Sequence, residues 1–268
     1  MNQSRLLLAL QIVATIATCA FLIIPAIMSM AAGVTVNYFQ GIWKSGVTVQ
    51  WIGQVWELYA GTIFLSIQLA ISTLVVTLII GVPAAYVLVR YPSRLGRLFE
   101  ELVTLPIAIP GLAIALALII TYGGVGDFRQ HWTFILVGHV LYTLPFMMRA
   151  VMAVLASIDI ETLEEGAASL GAPAHRRFVD IVLPNIRNGI LAGALMVVTL
   201  SIGEFNLTWM LHTPSMKTLP VGLADSYASM RLEVASAYTL VFFFMIIPLL
   251  IAMQLAANWS SRSPAHGN

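Results

Sequence analysis

The chain has 268 residues, 59% hydrophobic and 9% charged, with a formal net charge of +1 and a mean hydropathy of +0.91. Soluble domains carry about 25% charged residues, so an ordinary cytosolic enzyme and a disordered tail are excluded. A nucleic-acid binder is excluded too, because it needs a basic field for phosphates. What remains is an all-α, polytopic membrane protein.

Six apolar runs are long enough to cross a bilayer, which takes about 20 residues. They run from about Leu6 to Met30, Ala60 to Val89, Leu102 to Tyr122, Phe134 to Ala156, Gly189 to Met210 and Ala235 to Ala256. The first exceeds the 7–15 apolar residues of a signal peptide core, so it reads as a retained span. With the N-terminus inside, the inner segments hold nine of the thirteen Lys+Arg, among them Arg90, Arg94, Arg97, Arg149 and Arg187, and the outer segments hold four. That bias places both termini in the cytoplasm. The first outer segment, about 31–58, carries Trp43, Trp51, Trp56 and Tyr59, which read as an interfacial aromatic belt. The third outer loop, about 211–234, is polar and contains Pro214 and Pro220; it could meet an extracytoplasmic partner.

The inner segment between spans four and five, Ser157 to Asn185, is too polar for lipid and too patterned for a linker. Leu163, Ala167 and Leu170 share one helical face, and Asp159 and Glu161 suit the positive end of that helix. Gly171 stands where a helix end requires φ > 0, and Pro173 fits the first position of a second helix. Leu183-Pro184 should end that helix and bend the chain into span five. The small residues Gly166, Ala167 and Ala168 would lie on the exposed surface, where they permit close approach of another protein or simply belong to a surface loop.

Glu165-Gly166-Ala167, three residues, Gly171, nine residues, then Ile181-x-Leu183-Pro184 resembles the EAA motif of membrane subunits of binding-protein-dependent ABC importers. Gly166 replaces the motif's first alanine, which keeps the residue small. The stretches Gly81–Tyr86, Thr104–Gly111 and Ser201–Asn206 resemble the family's second, third and fifth spans, the last in the polyamine and related oxyanion, iron and phosphonate branches, with a lean towards the spermidine/putrescine-like one. The resemblance implies a single transmembrane domain over 1–268 with the MetI-like fold of type I importers, the core at about 55–257, in a bacterial inner membrane. The chain would then be a non-enzymatic permease subunit whose loop is a coupling helix seated on a dimer of ATP-binding subunits. Glu165, Gly166, Ala167 and Gly171 would carry coupling, with Leu183 and Pro184 closing the motif. Arg176 and Arg177 either assist the coupling or anchor to lipid headgroups. A second membrane subunit, a related chain in preference to a copy, and an extracytoplasmic solute-binding protein are also implied. The branch points to a polyamine or a 2-aminoethylphosphonate-like solute.

The chain cannot supply the energy itself. A P-loop needs a lysine after glycine to reach the phosphates, and Lys44 and Lys217 follow Trp43 and Met216. ATP and Mg are therefore expected on the partner and no cofactor on this chain. The five histidines show no metal-binding spacing; His139 reads as a helix-packing hydrogen-bonder or a proton relay. Glu204, followed by Asn206, is a carboxylate at membrane depth. Such a group is costly and usually faces a cavity or a partner, so both residues are candidates for the translocation pathway, with an interfacial or helix-bonded glutamate as the alternative. Pro106 and Pro110 interrupt the third span as a kink or as an opening of carbonyls to a pathway. An ion-gradient-driven transporter or channel is the competing function. It would require more intramembrane ionisable residues and would leave the 20-residue loop pattern unexplained.

Overall fold

The computed structural model describes residues 3–262. Regular structure among them is helical, apart from isolated bridges at Thr35–Val47 and Thr213–Met216. In chain order, α1 (Gln3–Ala32) and the short α2 (Ile42–Ser45) precede α3 (Gln50–Arg90), α4 (Arg94–Ala108), α5 (Gly111–Tyr122) and α6 (Trp132–Leu155). The loop contains α7 (Ile160–Ser169), α8 (Ala174–Arg176) and α9 (Leu183–Asn185). It is followed by α10 (Arg187–Gly203), α11 (Asn206–Leu211), α12 (Leu219–Ala228) and α13 (Leu232–Arg262). Four stretches are long and apolar enough to span alone: Leu7–Ala32, Gln50–Arg90, Trp132–Leu155 and Leu232–Leu255. Two bent pairs raise the number to six if each counts as one span.

The expected third span is not one helix. α4 and α5 meet at 111°, and with 15 and 12 residues neither reaches the length that crosses a bilayer. The cause is Pro110. A proline pushes the residue before it out of the α region, and Ile109 is extended at φ −92°, ψ 132°. Pro106, by contrast, stays inside α4. The expected fifth span also stops early. Glu204 is extended at φ −70°, ψ 121°, and separates α10 from α11. The second span begins ten residues before its expected start, with a break in the helix at Tyr59. The segment read as a polar third outer loop contains α12, whose Leu219 and Val221 are fully buried.

The described chain forms two compact units, one of residues up to Ala60 with Gly222–Phe244, the other of Gly61–Val221 with the chain from Met245 onward. In the first, Arg231 donates to Tyr59 Oη at 2.7 Å and to Gln54 Oε1 at 3.0 Å, and Trp51 Nε1 donates to the Thr35 carbonyl at 2.9 Å. Trp43 is fully exposed. The second unit has two apolar clusters. One gathers Leu69, Ile114, Phe134, Ile135, Leu207 and Leu211 around α11. The other gathers Val82, Ala85, Met147, Val151, Leu155 and Val197 with Ile160, Val182 and Ile186 of the loop.

α10 packs on α6 through small residues. A Cβ at Gly189 would meet the Ala150 carbonyl oxygen at 2.8 Å, and one at Gly193 would meet Met147 Sδ at 2.7 Å. This Gly-x3-Gly pair serves packing inside the subunit, the close approach that such spacing allows. Gly189→Ala should lower the chain's thermal stability in detergent by about 1–3 kcal/mol, because the obstacle is backbone. At Gly166 an added methyl would find nothing within 4 Å, so Gly166→Ala should leave stability unchanged or raise it by up to ~1 kcal/mol.

Candidate functional site

The loop folds as a helical hairpin. Asp159 caps α7, its carboxylate accepting from the Thr162 N–H at 3.3 Å and the Thr162 hydroxyl at 2.7 Å. These bonds, the hydroxyl first, hold the Asp159 carboxyl below the usual carboxylate range. Gly171 turns the chain at φ +84°, and the Ala172 N–H closes back on the Ala167 carbonyl at 3.0 Å. Pro173 sits one position earlier than expected, as the N-cap of α8. A π turn, Arg177–Val182, then leads into α9, which contains Pro184. The second limb does not end at Pro184. It continues through Asn185, whose amide donates to the Ile181 carbonyl at 2.8 Å, and the 71° bend into α10 falls at Ile186. A wider turn ahead of a proline accommodates the missing N–H and the ring.

The stripe Leu163, Ala167, Leu170 does not face inward. Leu163 is 46% and Leu170 is 90% exposed, Ala167 is half-buried, and Gly166 and Ala168 lie out beside them. The inward face of α7 is Ile160 and Glu164. Glu164 accepts from Tyr86 Oη at 2.7 and 3.0 Å and from Arg90 Nε at 3.3 Å. Arg90 also meets Glu161 at 2.7 Å and Glu165 at 3.8 Å. Glu165 projects outward, 67% exposed, while its neighbour Glu164 is 4% exposed. Of the other expected coupling residues, Gly171 and Arg176 are exposed at the turn and the start of the second limb, and Arg177 is half-buried. Leu183 packs against the cluster beneath the loop, and Pro184 is exposed. Sequence reading missed Tyr86, Arg90, Glu161 and Glu164 as site residues.

The second candidate site lies at the break between α10 and α11. Glu204 turns inward and accepts from the Leu207 and Thr208 N–H groups, each at 2.9 Å, and from the Thr208 hydroxyl at 2.8 Å. Its carboxylate caps α11. Asn206 is exposed beside it. The Thr208 hydroxyl, having given its proton to Glu204, accepts from His139 Nε2 at 2.8 Å. Nδ1 of the same ring then accepts from the Ser201 hydroxyl at 2.8 Å. Because Thr208 gives its proton to Glu204, Nε2 is the donating nitrogen, and the Nδ1 role is assigned for the neutral ring. It joins α6 to both sides of the break, which is the helix-packing alternative for this residue. Gly111 and Gly138 leave room for α11; a Cβ on Gly138 would meet Leu207 Cδ2 at 2.6 Å.

Thr208→Val should lower thermal stability by about 1–2 kcal/mol, because it leaves the His139 N–H and one Glu204 oxygen without this partner. The Asp159 cap is present above the carboxyl's ordinary range and is lost as pH falls through its lowered pKa. Amide exchange at Thr162, corrected for its intrinsic pH dependence, should therefore lose protection in acid, and Asp159→Asn should abolish that pH dependence while keeping the cap.

Residues 77–265 match the family model described as the binding-protein-dependent transport system inner membrane component. The sulfate transport system permease protein CysW of Synechocystis is 27% identical over 207 residues, 71% of this chain and 74% of that one. The molybdenum transport system permease protein ModB of Azotobacter vinelandii is 29% identical, covering 74% of this chain and 92% of that one. A putative 2-aminoethylphosphonate transport system permease protein, PhnV of Salmonella choleraesuis, is 24% identical over 92% of this chain and 94% of its own length. Among solved structures, an inward-facing form of the MetNI methionine ABC transporter superposes with a TM-score of 0.59 at 18% identity, covering 79% of this chain and 97% of that one. That likeness establishes the MetI-like fold. The chain therefore belongs to the family of inner-membrane components of binding-protein-dependent transport systems, as the permease subunit of a type I ABC importer.

Proposed function

We propose that the chain spans the membrane with both termini in the cytoplasm and presents the hairpin from Ile160 to Asn185 to a dimer of ATP-binding subunits. The observation that carries this reading is the hairpin's outer face. Gly166 and Ala168 leave space, Leu163 and Leu170 offer uncovered apolar surface, and Glu165 offers a carboxylate. Small residues allow backbone approach, and an apolar patch rimmed by charge marks a protein partner. Glu165, Gly166, Ala167 and Gly171 form the contact; Arg176 and Arg177 lie on the limb beside it. ATP and Mg are held by the partner. A second, related membrane subunit completes the pathway, and an extracytoplasmic binding protein delivers the solute.

For the solute, we favour a small anion or zwitterion of the oxyanion or phosphonate class over a polyamine. The near full-length likeness to a 2-aminoethylphosphonate permease supports this, as do the sulfate and molybdenum permeases. Geometry supports it as well. The carboxylate that would attract a cationic polyamine, Glu204, is occupied by three donors of its own neighbourhood. Asn206 is the exposed polar group at that break, and in this reading Asn206 touches the pathway while Glu204 shapes it.

The chain expressed with its neighbouring subunits should bring down an ATPase. Gly171→Pro should abolish that association without unfolding the spans, because proline cannot adopt φ +84°. Solute uptake by the chain in vesicles without any ATPase would overturn the reading and favour the gradient-driven alternative.

A further inference from the structure

The loop is joined covalently to α6 and α10, yet its strongest polar anchor is on neither. It lies on the last turns of α3. Tyr86 and Arg90 stand four residues apart and so share a helical face. Across from them, Glu164 lies on the inward face of α7, with Glu161 and Glu165 at its exposed edges. Arg90 spreads over all three carboxylates at 2.7, 3.3 and 3.8 Å, and the one Tyr86 hydroxyl proton lies between the two Glu164 oxygens, at 2.7 and 3.0 Å from Oη. The ring of Tyr86 also packs edge-on against Phe178 at 5.2 Å between centroids, so one α3 side chain touches both limbs of the hairpin. Glu164 and Arg90 are withdrawn from solvent, with side chains 4% and 16% exposed. A mostly buried guanidinium that places each of its nitrogens on a different carboxylate keeps its position better than an exposed pair of flexible side chains.

From this arrangement we propose that Arg90 and Tyr86 are positioning residues that make the end of α3 follow the hairpin as one body. Displacement of α7 by the ATP-binding subunit then reaches α3 directly, in addition to α6 and α10 through the chain. The acids divide the labour: Glu164 holds the hairpin from within, and Glu165 on the next residue remains outward for the partner. The inference rests on the proposed coupling role of the hairpin, but the clamp itself can be tested without it.

The test is a distance measurement between nitroxide labels at Val87→Cys and Ser169→Cys, both exposed positions, in a Cys19→Ser background. It uses the full chain in its complex, first nucleotide-free and then trapped with ATP and vanadate. With the clamp intact, the distribution should be narrow and the same in both states. Arg90→Gln alone would leave Glu164 buried with a charge, so the variant of choice is Arg90→Gln with Glu164→Gln, which removes the ion pair and leaves no orphan. In that variant the distribution should broaden and become state-dependent, while the ATPase still co-purifies. Arg90→Lys, a cation without the fork, should fall between. A parent distribution that changes with nucleotide, or a double variant as narrow as the parent, overturns the clamp. Absence of an ATPase from the parent complex counts instead against the coupling role, and the nucleotide-free widths still decide the clamp.

Discussion

Backbone amides cannot go unpaired where water is absent, and the departures of this chain from straight helix are arranged around that constraint. At the end of α10 the ladder stops, and the free N–H groups of α11 are met by the Glu204 carboxylate of the same chain. Three donors surround that buried carboxyl group and satisfy its oxygens. One of them, Thr208, passes the bonding on to His139 and Ser201. The bonds point in one sense, from Ser201 through the imidazole and the threonine hydroxyl to the carboxylate, so each polarises the next. The break is thus a built feature with its own fastening, and α5 and α6 approach it through glycines.

A similar economy governs the hairpin. Three carboxylates and one guanidinium leave an excess of two negative charges. The buried member is fully bonded, so the excess resides on Glu161 and Glu165, which are exposed. Beneath them Ile160, Val182 and Ile186 enter the larger apolar cluster. The hairpin is therefore packed on one side and open on the other.

Class, loop and turn were legible in the sequence because each has a local signature: apolar runs of sufficient length, the fixed spacing from Glu165 to Pro184, and a glycine after a periodic stretch. The orientation of α7 was not. Apolar periodicity places carboxylates outside by default, and here Glu164 is the inward residue while Leu163 and Leu170 face out. Its partner Arg90 is 74 residues away, and no spacing rule connects them. The bend at Pro110 could have been read as more than a kink from the Ile-Pro-Gly run, since a Pro-Gly pair marks a turn. The stop at Glu204 was hidden because the apolar residues continue on both sides. Glu204 bonds the amides three and four residues ahead from the position before the cap, where the preferred capping residues Ser, Thr, Asp and Asn give no warning.

Leu170, at 90% exposure, Leu163 and Val179 are uncovered apolar side chains on a hairpin otherwise rich in charge. Water does not tolerate such surface cheaply. If the ATP-binding partner proposed above covers these side chains, the solvation of the hairpin itself favours the occupied state over the bare one.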